Sequence, residues 1–158
     1  MTFERVVRTS LVDAPVAAVW AAVTTPAGFN AELWPYLRMT VPRPFRGATI
    51  ADVTPGMHIG RSVLLLFGVL PIDYDDITIA EIDEGRRFRE ESAMLSMRPW
   101  IHERALRPVG DRTEVTDTLT FAPRPPLALV PGAGAVLRGI VAALFRHRHR
   151  RLGSLLGA

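Results

Sequence analysis

The sequence contains no cysteine and no lysine. Without cysteine there is no disulfide framework, no thiolate zinc site and no cysteine nucleophile. Without lysine there is no Schiff-base chemistry. All 19 basic residues are arginine and only two tyrosines are present, so little in the chain loses a proton at high pH. The isoelectric point near 10.5 therefore accompanies a net charge of only +3. So weak a charge does not make a nucleic-acid surface, and no nucleic-acid partner is expected. Long apolar runs are also missing. Residues 62–72 and 127–137 are the longest, and both are interrupted by proline and too short to span a bilayer. The opening Met1-Thr2-Phe3-Glu4-Arg5 carries charge where a signal peptide needs an apolar run. A soluble, cytoplasmic protein is expected.

What is present suits a folded globule. The chain has 158 residues, of which 48% are hydrophobic and 22% charged, enough for one domain (1–158) with a core and room for a cavity. Residues 3–12 alternate as a strand does. Asp13 is placed to cap a helix with Pro15 in its first turn, and Val16, Val19, Trp20 and Val23 form one buried stripe. A second short helix runs through Phe29, Leu33 and Trp34, and a proline- and glycine-marked loop follows. From about Ile59 the pattern is strand after strand: residues 61–70, apolar enough for burial on both faces, then 74–82, 87–94, 100–106 and 113–121. Turns are expected at Glu84-Gly85, Met97-Arg98-Pro99 and Gly110-Asp111. A proline-rich connector leads into a last helix over 133–156. Its Leu137, Ile140, Val141, Leu144, Phe145, Leu152 and Leu155 occupy an arc of about 140°, and its length of about 36 Å would cross a whole domain. An antiparallel sheet with an apolar face needs such a cover. The expected architecture is α+β: a curved antiparallel sheet gripping a long C-terminal helix.

That order of elements carries a resemblance. So do Phe88-Arg89-Glu90, Trp100-Ile101-His102-Glu103-Arg104, Asp117 in the last strand, and the run from Phe145 through Arg146, His147, Arg148, His149, Arg150 and Arg151 to Leu152. The chain resembles the SRPBCC, or START-like, superfamily, nearest its polyketide cyclase/dehydrase-like and lipid-transport-like branch. The resemblance implies a hydrophobic tunnel between sheet and long helix. It leaves activity open, because the superfamily includes carriers, lipid-transfer domains, cyclases and oxygenase subunits. No Rieske or iron-ligand pattern occurs here, which sets the oxygenase reading aside.

The two-residue turn at Gly110-Asp111 predicts a register. Arg104 falls opposite Asp117, His102 opposite Leu119, and Trp100 opposite Phe121, all on one face with Leu106. A three-residue turn before Trp100 would add Glu90 opposite Arg104 and Met94 opposite Trp100. The expected ligand-contacting set is therefore Phe88, Glu90, Met94, Trp100, His102, Arg104, Leu106, Asp117 and Phe121, with Phe88, Met94, Trp100, Leu106 and Phe121 as the cavity's apolar walls. Arg104 between two carboxylates is either a satisfied structural network or the polar end of a ligand chamber. His102 is either a hydrogen-bonded structural residue or a general base working with Glu90 or Asp117. His147 and His149 diverge by about 200° around a helix, so no metal site is expected, and no cofactor. Arg148 lies near the centre of the apolar arc; it either reaches past the sheet's rim to water, the reading preferred here, or meets a carboxylate or the ligand at one end of the tunnel. The other arginines and histidines of that stretch suit a helix C-terminus, and contact with an anionic membrane surface is a weak third option. Carriage of a small hydrophobic molecule (lipid, polyketide or isoprenoid) is preferred over a cyclase, dehydratase or hydrolase activity, because no nucleophile motif or phosphate loop occurs.

Overall fold

The computed structural model describes residues 2–157. Seven antiparallel strands form one sheet: β1 Glu4–Val12, β2 Leu37–Met39, β3 Met57–Leu66, β4 Leu70–Asp83, β5 Arg87–Met94, β6 Met97–Val109 and β7 Arg112–Pro123. Their spatial order is β1-β7-β6-β5-β4-β3-β2, so each strand from β2 to β7 lies beside its sequence neighbour and β1 closes against β7. Helices α1 (Val16–Val23) and α2 (Pro26–Leu33) follow β1, and α3 (Ala133–Gly157) ends the chain. The fold is α+β, with α3 packed along β1, β7 and α2. No helix among the described residues is long and apolar enough to cross a membrane.

The β6–β7 hairpin follows the alternation in its sequence. Gly110 takes φ +60° at the first turn position, as a two-residue hairpin turn requires. Val109 then pairs with Arg112, Arg104 with Asp117, His102 with Leu119 and Trp100 with Phe121, as the turn predicted. This register stacks the inner face in layers. Leu106 and Val115 join Val12, Val19, Trp20 and Leu152 in one apolar cluster. Trp100, Leu119 and Phe121 join Val6, Met94 and Phe145 in a second. Arg104 and Asp117 fall between the two.

Several local expectations need correction. Residue 15, not Asp13, occupies the N-cap of α1, and no side chain caps that helix. Thr25 caps α2, accepting a bond from the Gly28 amide at 3.0 Å. A Cβ on Gly28 would fall 1.7 Å from the Ala22 carbonyl oxygen, so only glycine allows α2 to cross the end of α1 this closely. The apolar stretch 61–70 is not one doubly buried strand. It turns over at Phe67-Gly68, leaving Phe67, Val69 and Leu70 exposed. The expected turn at Met97-Arg98-Pro99 is instead strand: β6 begins at Met97, and Pro99 sits in an irregular stretch of the ladder where a missing N–H costs little. The chain reverses at Leu95-Ser96, whose amides both donate to Asp73 Oδ1. The β5–β6 register is therefore two residues away from the expected one. Glu90 lies opposite His102, Phe88 opposite Arg104, and Ser92 opposite Trp100. A shift of two preserves the face, so Glu90 and Met94 still point inward. On α3, Ile140 and Leu155 are exposed, although both belong to the expected arc.

Candidate functional site

The layer between the two apolar clusters is an ion-paired network. Arg104, 1% exposed, donates from Nε and Nη2 to the two oxygens of Asp117 at 2.8 and 2.7 Å. It donates from Nη1 and Nη2 to Glu32 on α2, both at 2.8 Å. Its second carboxylate is thus Glu32 and not Glu90. Arg148, from α3, adds a bond from Nε to Glu32 at 3.2 Å. Asp117 also receives His102 Nε2 at 2.7 Å and His149 Nε2 at 2.6 Å, while His149 Nδ1 bonds the Ser10 hydroxyl. Two forked arginine–carboxylate pairs on one guanidinium use its planar geometry fully.

Burial alone would raise both carboxyl groups. Arg104 and Arg148 offset it at Glu32, whose carboxyl is held below its ordinary value. Burial is likewise outweighed at Asp117, where Arg104 and the bond from His102 keep the carboxyl well below the usual range. Both stay ionised at neutral pH. Burial would also discharge Arg104, but Asp117 and Glu32 push its pKa well up instead. The paired charges, two positive and two negative, cancel within the layer.

Arg148 therefore does not reach out to water past the rim. It is buried, with its guanidinium 4.8 Å from the Phe145 ring centre. His149 likewise turns inward and does not dress the helix end. Arg151 donates to the Ala31 carbonyl at 3.0 Å, so of the five α3 arginines Arg146 and Arg150 are the ones that face solvent without such a bond.

Beside this layer lies a cavity of about 210 Å³. Phe88, Glu90, Met94, Trp100 and His102 line it. Leu106 and Phe121 do not: Leu106 packs under α1 with Trp20, and Phe121 stands behind Trp100 at 5.6 Å between ring centres. Arg104 and Asp117 support His102 from below and do not line the space. The cavity also does not run along α3, which contributes only Leu144, Phe145 and Arg148. Its far wall is α2, β2 and the connection through residues 40–53, including Phe29, Met39, Phe45 and Ile50. Because α3 leans on the β1–β7 side of the sheet, the faces of β3, β4 and β5 are left to this wall.

Reading the sequence alone missed Glu32, Asp75 and His149. Glu32 is the sole acid between Asp13 and Asp52, and it adjoins the buried Leu33. Asp75 shares strand phase with Ile77 and Ile79 and lines the cavity with them. An acid in phase with an apolar face was the available signal.

A family model described as "Domain of unknown function (DUF8410)" matches residues 10–156. No curated protein matches the chain. Among solved structures, the Zhui aromatase/cyclase from a Streptomyces species superposes with TM-score 0.70 at 16% identity, over 97% of this chain and 93% of that one. A START superfamily protein from Mycobacterium smegmatis gives 0.68 at 13% identity, over 96% of each chain. A protein from Chromobacterium violaceum gives 0.69 at 16% identity, over 98% and 97%. Likeness at these identities establishes the fold: the START-like helix grip.

Proposed function

The chain belongs to the DUF8410 family, and we propose that it is a single cytoplasmic ligand-binding domain (residues 1–158) that carries or senses a small, mostly apolar molecule. The cavity is the observation that supports this reading. An apolar cavity of about 150 Å³ is enough to take up benzene. A space of about 210 Å³ walled by Phe29, Ile77, Met94 and Trp100 suits a substituted ring or a short branched chain of lipid, polyketide or isoprenoid type. Glu90 and His102 supply polar contacts within that wall. The reading involves no nucleic acid, and contact with an anionic membrane surface is its weaker alternative.

An apolar fluorescent dye should bind saturably at one site per chain. Ile77→Trp, which fills the space from the sheet side, should weaken that binding by at least about tenfold, or about 1.4 kcal/mol, with far-UV circular dichroism unaltered. Equal dye affinity in a folded Ile77→Trp variant would place the dye elsewhere and remove the support.

One observation favours a second reading, acid–base catalysis of a cyclase, dehydratase or hydrolase type. His102 lines the cavity while its Nε2 is held by Asp117 at 2.7 Å, which leaves Nδ1 as the ring atom that would take up a proton. Glu90, opposite it across the strands, would be the partner acid. Under this reading His102→Phe ends turnover but keeps dye binding. The carrier reading is preferred because no covalent or activating group joins the pair.

A further inference from the structure

The cavity's polar end is acidic and unpaired. Asp75, 3% exposed, points inward from β4, and Glu90 shares the cavity wall with it. Oδ1 of Asp75 and Oε2 of Glu90 are both buried, and neither has a hydrogen-bond partner. Burial, then Glu90, Asp73 and Asp76, push the Asp75 carboxyl well above its ordinary value; every charged group in that set is an acid. The neighbouring acids are used elsewhere. Asp73 closes the Leu95-Ser96 turn, and Asp76 bonds His58 Nε2 at 2.7 Å. The cations around the cavity are also engaged. Arg148 donates to Glu32, Arg104 is saturated by Glu32 and Asp117, and His102 donates to Asp117. Arg61 lies over the Tyr74 ring, 4.0 Å from its centre.

Two carboxyls in one apolar wall do not both ionise readily; burial and then Glu90 hold the Asp75 carboxyl toward its protonated form, and the wall keeps one negative charge. That charge lacks a partner, and a hydrocarbon ligand would bury it further without satisfying it. An ammonium group brings one positive charge and three N–H donors. Resting on the reading of this cavity as a ligand site, we propose that the ligand is an apolar amine. Its ammonium sits between Asp75 and Glu90, and its hydrocarbon part lies against Ile77, Met94 and Trp100. Binding expels the Asp75 proton. It therefore tightens as pH rises through the raised titration of Asp75, until the amine itself deprotonates at about pH 10.

The test is calorimetric titration with three matched probes: phenethylamine, its hydrocarbon counterpart n-propylbenzene, and the anion 3-phenylpropanoate. The expected result at about pH 8 is phenethylamine at least about tenfold tighter than propylbenzene, and no measurable binding of the anion. Phenethylamine affinity should rise as pH rises through the raised Asp75 titration, with proton release. Asp75→Asn with Glu90→Gln should reduce the amine's affinity to that of propylbenzene, and each single substitution should reduce it part of the way. Propylbenzene binding as tightly as the amine would overturn the inference and leave the carrier reading standing. Preference for the anion would overturn it too, and would point to Arg148. Absence of saturable binding for all three would sink the carrier reading together with the inference.

Discussion

Replacing Arg104 with leucine should lower the unfolding free energy by about 3–5 kcal/mol, the usual cost of removing one partner from a buried ion pair. Among the described residues the guanidinium is the only group that bonds Glu32 and Asp117 at once, through four hydrogen bonds of 2.7–2.8 Å. Leucine leaves two buried carboxylates facing each other with Arg148 as the remaining cation near Glu32. In the wild type both carboxyls are depressed below their unfolded values. Their stabilisation is thus fully present above about pH 4.5 and is lost only as pH falls through the native values. In the variant, burial acts without that counter-charge and raises them above their unfolded values. Its folded state then loses stability as pH rises through the raised values. The deficit should accordingly widen from about pH 5 to pH 9 in urea titrations. Adding Glu32→Gln should recover part of the loss, because one of the uncompensated charges disappears. His102→Phe, which deletes one of the four bonds to Asp117, should cost less than either change at Arg104 or Asp117. An Arg104→Leu variant as stable as wild type over this range would show that the network is not buried in solution.

Asp117→Ala should have an effect of similar size, again about 3–5 kcal/mol, for the opposite reason. Asp117 accepts from Arg104 twice and from His102 and His149 once each, so its loss strands donors from β6 and α3. Asp117→Asn keeps the shape but aims an NH₂ group at donors, and should recover only a minority of the loss. The two sites should differ in pH dependence. The carboxyl of Asp117 lies well below its ordinary value, so the stability it contributes is constant through neutral pH. It declines only as pH drops below about 4 toward the native value. A gap between wild type and Asp117→Asn that vanishes at neutral pH would contradict this assignment.

The origins of these two sites show how far a sequence carries such a site. Arg104 and Asp117 were legible because a two-residue turn and a period of two fix which residues of a hairpin share a layer. The fold was legible on the same grounds, since alternation and the long apolar arc of the last helix each report one face. Partners from distant elements were not legible. Glu32, Arg148 and His149 reach the layer from α2 and α3, and nothing in their local periodicity says which strand residue they meet. Arg148 looked like a rim residue because an arginine within an apolar arc ordinarily extends to water, and a buried carboxylate on another helix reversed that. The β5–β6 slip has a local cause: Pro99 suggested a turn, but the bulged ladder of β6 accepts a residue without an N–H. The cavity was displaced from its expected line along α3 because the short β2 and the connection through residues 40–53 supply its far wall. Those segments have no periodic signal.

The central claim is that the space between Ile77, Met94, Trp100 and Leu144 takes up an apolar molecule. Methyl NMR during titration with n-propylbenzene tests it most directly. The account predicts saturable, one-to-one shifts at Ile77, Ile79, Met94 and Leu144, with small changes at Leu106, Leu152 and Val115 in the cluster under α1, and loss of the response in Ile77→Trp. Shifts confined to exposed methyls such as Ile140 and Leu155, or no saturation at any lining methyl, would contradict it.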